Sequence, residues 1–143
     1  MTQRKLSSIL SATATLIGLV ILPTFQATAA TLVIYGASGR IGDFIVTEAL
    51  SRGHDVIGVS RNPDGMTTDH PNFSAVAGDA TNLDSMLEII PDADAVIFSL
   101  SGVGPGNTPE EATTVRAAAT FIQAAKQLGD AAPRAVQVGG GTT

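Results

Sequence analysis

The sequence predicts an α/β fold, a doubly wound parallel sheet of about five strands in the order 3-2-1-4-5, built from residues 30–143. Three observations predict it. Short apolar runs rich in β-branched residues recur without polar alternation, as strands buried on both faces require. Segments with helical spacing separate them, and such alternation implies parallel pairing through right-handed crossovers. Glycines crowd the first strand–helix junction, from Gly36 to Gly42.

The elements follow in order. Thr31 to Tyr35 reads as the first strand. From Arg40 to Arg52 the apolar residues Ile41, Phe44, Ile45, Ala49 and Leu50 recur at helical spacing, and Gly53 is placed to stop the helix. Asp55 to Ser60 is the second strand. Arg61 to Asn72, with two prolines and a glycine, reads as a loop holding at most one helical turn. Phe73 to Ala77 is the third strand. Asn82 to Ile90 is a short helix capped by Thr81 or Asn82, with Pro91 beyond its end. Asp94 to Leu100 is the fourth strand, and Ser101 to Thr108 a loop rich in glycine and proline. Pro109 to Leu128 reads as the longest helix, with Pro109 at its first position, Glu110 and Glu111 at its positive end, and Gly129 at its stop. Arg134 to Val138 is the fifth strand.

This order carries a consequence. Right-handed crossovers put the first helix on one face of the sheet and the two later helices on the other, so the fourth and fifth strands lack cover on the first helix's face. Exposed apolar surface is expected there, to be covered by chain continuing past Thr143 or by an oligomeric partner.

The first 29 residues are of another kind. Arg4 and Lys5 precede an apolar run from Ile9 to Leu22, Pro23 ends it, and Ala27 and Ala29 suit a cleavage site. These are the parts of a secretory signal peptide, which implies an exported domain. Two alternatives stay open: an uncleaved membrane anchor, for which the run is short, and a misassigned start codon with a cytoplasmic domain. The chain of 143 residues has no cysteine, which removes disulfides, thiol catalysis and thiolate metal sites. Its net charge of −5 gives no footprint for a polyanion, so no nucleic-acid partner is expected. His54 and His70 are isolated, and no metal site is expected.

Gly36, Gly39 and Gly42 form a G-x-x-G-x-x-G loop between a strand and a helix. Gly36 permits the tight turn, Gly39 lets main chain approach a pyrophosphate, and Gly42 lets the helix pack close to the sheet. The free amides of Arg40, Ile41 and Gly42 at the helix start then suit phosphates, with Ser38 adding a hydroxyl and Arg40 a charge. This is the pattern of a Rossmann-type dinucleotide-binding domain; a tight turn without ligand is the alternative. At the end of the second strand, where NAD sites place an acid, Val59 to Asn62 offers Arg61 instead. A guanidinium matches a 2′-phosphate in charge and fork geometry, so NADP(H) is expected over NAD(H), with Arg40 or Ser60 assisting and a solvated loop charge as the alternative.

The glycine loop, Arg61 after the second strand, and Gly78, Asp79 and Ala80 after the third together resemble the short-chain dehydrogenase/reductase superfamily. The likeness is greatest to its atypical, NmrA-like and NAD(P)H-binding branch, which includes flavin and biliverdin reductase-like proteins, and it runs from Thr31 to Gly141. The resemblance implies that Asp79 faces the adenine with Ala80 beside it. It also implies that Leu100, Ser101 and Gly102 line the central ribose and the nicotinamide side. Asp79 equally suits a turn before the Asn82 helix. The Tyr-x-x-x-Lys pair of many such reductases is absent: Tyr35 is the single tyrosine, and the lysines are Lys5 and Lys126. Catalytic residues and substrate therefore stay unassigned, with Thr142 and Thr143 as weak candidates. Gly102 to Gly106 reads as a lid or a second phosphate nest. Three functions remain: an NADP(H)-dependent oxidoreductase or epimerase acting on a small molecule, a non-catalytic NADP(H)-binding redox sensor of the NmrA-like kind, and a remnant without function.

Overall fold

A computed structural model describes residues 28–102 and 108–139. Most of the expected signal peptide, the middle of the loop after the fourth strand, and Thr142 and Thr143 lie outside the described residues. Among the described residues no helix is long and apolar enough to cross a membrane.

Five strands and three α-helices alternate. They are β1 (Thr31–Tyr35), α1 (Arg40–Ser51), β2 (Asp55–Ser60), β3 (Phe73–Ala77), α2 (Leu83–Ile89), β4 (Ala95–Phe98), α3 (Thr113–Leu128) and β5 (Arg134–Gln137). All pairings are parallel, and the strand order is β3-β2-β1-β4-β5, as the alternation of elements requires. Pairing sets Tyr35 opposite Val59 on one side and Phe98 on the other, so the carboxyl ends of the three central strands are level. The ladders of β4 and β5 are shorter than the apolar runs that announced them. β4 ends at Phe98 because β1 ends at Tyr35 and the chain then turns at Gly36.

Each central strand feeds two cores, as its unbroken apolar run predicts. Val33, Tyr35, Val59, Val96 and Phe98 meet Met86 and Ile90 near α2 and Ala117 and Ala124 of α3. Tyr35 stacks on Phe98 at 5.3 Å between centroids, and Phe121 of α3 meets Phe98 edge-on at 5.8 Å. On the other face Ile34 and Val56 pack under Val46, Ala49 and Leu50 of α1. Each large side chain buried this way contributes roughly 1.5–3 kcal/mol.

Two elements depart from expectation. The buried stripe of α1 is Gly42, Val46, Ala49 and Leu50, whereas Ile41 and Phe44 are 52% and 69% exposed. Gly42 faces the sheet because a Cβ there would collide with the Gly36 main chain, and that rotation carries Ile41 and Phe44 outward. The expected long helix also has two parts. A 3-10 turn at Pro109–Glu111 is followed by Ala112 with φ −55° and ψ 134°, and α3 proper starts at Thr113. Glu111 accepts the Thr108 amide at 2.8 Å across that turn.

The uncovered face is present among the described residues. α1 lies on one side and α2 and α3 on the other. Every residue of β5 is exposed, Val136 at 52%, and Ile97 beside it is half-buried.

Candidate functional site

A cleft of about 470 Å³ opens at the carboxyl ends of β1, β2 and β4, the place where the strand order reverses and where open α/β sheets bind ligands. Its near wall is main chain. Gly36, with φ +81°, turns the chain out of β1, and its amide donates to the Val59 carbonyl at 3.0 Å. A side chain at Gly36 would run into the main chain of Ser99, so glycine is required there. The Gly39 amide donates back to the Gly36 carbonyl at 3.0 Å, closing the loop. The first intrahelical bond of α1 runs from the Asp43 amide to the Gly39 carbonyl at 2.8 Å, and no side chain caps the helix start. The amides of Arg40, Ile41 and Gly42 therefore lack intrahelical acceptors, and the helix dipole adds partial positive charge. That is a cradle for an anion.

The side of the cleft at β2 is hydroxyl and guanidinium. Ser38 and Ser60 bring their hydroxyls within 3.0 Å of each other, and Ser60 also bridges to the amide and carbonyl of Asn62. Arg61 follows, exposed and lining the cleft. The far wall holds Asp79 and Ala80. The amide and the hydroxyl of Thr81 each donate to Asp79 Oδ1 at 2.8 Å. The Thr81 amide above all, then its hydroxyl, Arg61 and Arg116, hold the carboxyl below its usual range, against the opposing effect of burial. The turn role foreseen for Asp79 is present: Oδ1 makes the turn, while Oδ2 has no hydrogen-bond donor among the described residues. The cap of α2 is Asn82, whose side chain accepts the Ser85 amide at 3.0 Å.

Of the residues singled out from sequence, Gly36, Ser38, Gly39, Arg61, Asp79, Ala80, Leu100 and Ser101 line this one cleft. Arg40 lines a neighbouring recess of about 300 Å³ with Asp43 and Thr67. Ile41 projects outward, Gly42 is buried against the loop, and Gly102 stands off the cleft with open space around it. His54 and His70 each accept a main-chain amide, from Ala30 and Asn72, as polar turn residues do. No cluster of metal-ligating residues occurs among the described residues.

Sequence reasoning missed several members of the site, Thr81 and Ser99 among them. Thr113 and Arg116 of α3 line the cleft, and Arg116 approaches Thr81 Oγ1 to 3.5 Å. Arg116 is the single cation in the first half of α3, but only the structure shows that this turn of the helix stands above the strand ends. Tyr35 is another: it lines the cleft while only 1% exposed, and its hydroxyl is buried with no hydrogen-bond partner among the described residues. Burial, with a smaller contribution from Asp79, pushes the phenol well above its ordinary value, so it stays neutral at ordinary pH.

Comparison with known proteins agrees with this geometry. Residues 36–141 match the family described as NAD(P)H-binding. A 3-beta-hydroxysteroid dehydrogenase of Mycolicibacterium neoaurum is 30% identical over 74% of this chain and 29% of its own. Among solved structures, a Bacteroides thetaiotaomicron protein assigned as an epimerase is 28% identical with a TM-score of 0.63, covering 78% of this chain and 48% of that one. A Burkholderia pseudomallei protein assigned as exported is 31% identical with a TM-score of 0.58, at the same coverages of 78% and 48%. The chain therefore spans about half the length of these structures and under a third of the curated relative. A family match over most of the fold, a glycine loop at the head of α1 and a cleft at the point of strand reversal lead to one conclusion: the chain belongs to the NAD(P)H-binding family, within the short-chain dehydrogenase/reductase superfamily.

Proposed function

We propose that the cleft takes NADP(H) in preference to NAD(H), and that the chain is the cofactor-binding part of an oxidoreductase or epimerase. The observation that carries the preference is the end of β2. Arg61 stands at the cleft beside the paired hydroxyls of Ser38 and Ser60, with no acid between Val59 and Asn62. A 2′-phosphate meets a fork of donors there, whereas a free ribose hydroxyl finds no carboxylate. When bound, the nicotinamide supplies or receives the hydride, and the protein binds and orients it. The amides opening α1 hold the diphosphate, Asp79 and Ala80 border the base, and Leu100 and Ser101 border the nicotinamide side.

Calorimetric titration of the full chain tests the preference. NADPH is expected to bind about tenfold or more tighter than NADH, a gap of roughly 1.4 kcal/mol or more, and Arg61→Ala to erase most of it. Equal affinities in the wild type overturn the proposal.

Turnover is a separate matter. Tyr35 is buried in β1 and Lys126 lies in the last turn of α3, so these two residues form no proton pair, and a redox sensor without catalysis is the second reading. Consumption of NADPH with a panel of flavins, quinones and aldehydes supports the enzyme; tight binding with no turnover on any of them supports the sensor.

We also propose that residues 1–29 direct export. The leader pattern supports this, as does the likeness to a protein assigned as exported. Fractionation with N-terminal sequencing is expected to find a chain that begins near residue 30 outside the cytoplasm. An intact Met1 on cytosolic protein overturns it.

A further inference from the structure

Arg116 has no part in the reading above, yet its position at the cleft is specific. It stands in α3, 35 residues from Thr81 in sequence, and its Nη2 lies 3.5 Å from Thr81 Oγ1, the outer limit of a hydrogen bond. Thr81 accepts there and donates its own hydroxyl proton to Asp79 Oδ1 at 2.8 Å. The Thr81 amide holds the same oxygen, also at 2.8 Å. Two elements, the loop after β3 and α3, thus meet at one carboxylate. Both of its bonds fall on Oδ1, which leaves Oδ2 as an acceptor on the cleft wall.

We propose that Arg116, acting through the Thr81 hydroxyl, is a positioning residue that orients Asp79 and thereby sets the cleft's preference for a base carrying an exocyclic amino group. This rests on the reading of the cleft as a dinucleotide site and deepens it. The chemistry is that of an ionised acceptor. An amino group donates to Oδ2 and gains a charge-assisted bond, whereas a carbonyl at the same ring position presents oxygen to oxygen. Discrimination needs the carboxylate both charged and held in one rotamer. Thr81 supplies one anchor through its amide, which survives any change in α3. Its hydroxyl can instead rotate away, and Arg116 is the donor that leaves the hydroxyl proton pointing at Asp79. The charged and titratable groups that act on Asp79 among the described residues are Arg61, Arg116 and the buried phenol of Tyr35. Arg61 serves the ribose side, and Tyr35 is neutral. Arg116 is exposed, so replacing it leaves the core of α3 intact.

The test compares NADPH with its hypoxanthine analogue, in which the amino group is a carbonyl, on the full chain by calorimetry. Wild type is expected to favour the amino form about tenfold, the scale of one hydrogen bond to a charged group. Arg116→Ala is expected to bring the ratio within about twofold, Arg116→Lys to restore part of it, and Thr81→Ser to keep it. The midpoint of the acid loss of NADPH binding should also move to higher pH in Arg116→Ala, since a cation beside the carboxylate is gone. A wild-type ratio near one overturns the proposal, as does a ratio that survives Arg116→Ala. Failure of either dinucleotide to bind wild type overturns the dinucleotide reading itself, and with it this proposal. Circular dichroism of each variant confirms that a changed ratio comes from folded protein.

Discussion

The two walls of the cleft are made of different material. The near wall is main chain from one continuous stretch, Gly36 to Gly39, and behind it the start of α1 leaves amides without intrahelical acceptors. The far wall is side chain from two separate elements: Asp79 and Thr81 come from the loop after β3, and Arg116 comes from α3. Arg61 and the Ser38–Ser60 hydroxyl pair stand between them. A main-chain cradle tolerates almost any side chain that is small enough and fails abruptly when one is too large. A side-chain wall degrades by steps, one contact at a time, and those steps set selectivity rather than binding as such.

Breaking the near wall is expected to have the largest effect. Gly42→Val forces a side chain into the Gly36 main chain, which cannot move without unseating α1 from β1. Stability should fall by about 3 kcal/mol or more, with cofactor binding lost below detection, as thermal melts and titration would show. Arg61→Asp comes next. It leaves the near wall intact but sets a carboxylate where a 2′-phosphate is proposed to lie, so NADPH should lose about a hundredfold while NADH holds or gains. An equal loss of both cofactors would place Arg61 on the diphosphate instead.

Asp79→Asn tests the far wall through pH. The carboxyl is held below its ordinary value, so its contribution to stability and to binding is present above the unfolded value of about 4 and disappears as pH falls through the lower folded value. With NADH, which has no 2′-phosphate to titrate, wild type should therefore show an acid loss of binding below about pH 4 that the asparagine variant, weaker by about tenfold or less at neutral pH, lacks. Tyr35→Phe is the smallest change. It removes a buried hydroxyl that has no partner, so stability near neutral pH should change by less than about 1 kcal/mol, in the stabilising direction. Burial raises this phenol, so its ionisation costs no stability below the unfolded value of about 10, and stability is lost as pH rises beyond it because the unfolded chain ionises there while the folded one does not. Alkaline denaturation should accordingly begin at higher pH in the phenylalanine variant.

Legibility in the sequence follows the same division. β1 and β2 have the bounds that their apolar runs announced, because a strand in the middle of the sheet packs on both faces, and the edge strand β3 keeps its announced bounds too although it is largely exposed. The glycine loop was readable because each glycine answers a local steric demand. α1 was readable as a helix but not in its rotation. The pattern promoted Ile41 and Phe44, and the close contact of Gly42 with Gly36 decided otherwise. Arg116 and Thr113 went unseen because nothing in α3 itself says which turn overhangs the strand ends. The break at Ala112 sets that turn. The exposed edge at β5 was deducible from crossover handedness alone.

The sequence by itself determined the strands, the parallel order and the main-chain cradle, since these depend on steric and hydrophobic properties of neighbouring residues. Only the tertiary structure decided which face of α1 is buried, which residue of α3 reaches Thr81, and that Tyr35 keeps a hydroxyl without a partner beneath the cleft. Those outcomes depend on the distance between elements far apart in the chain, and packing fixes that distance only once all of them are in place.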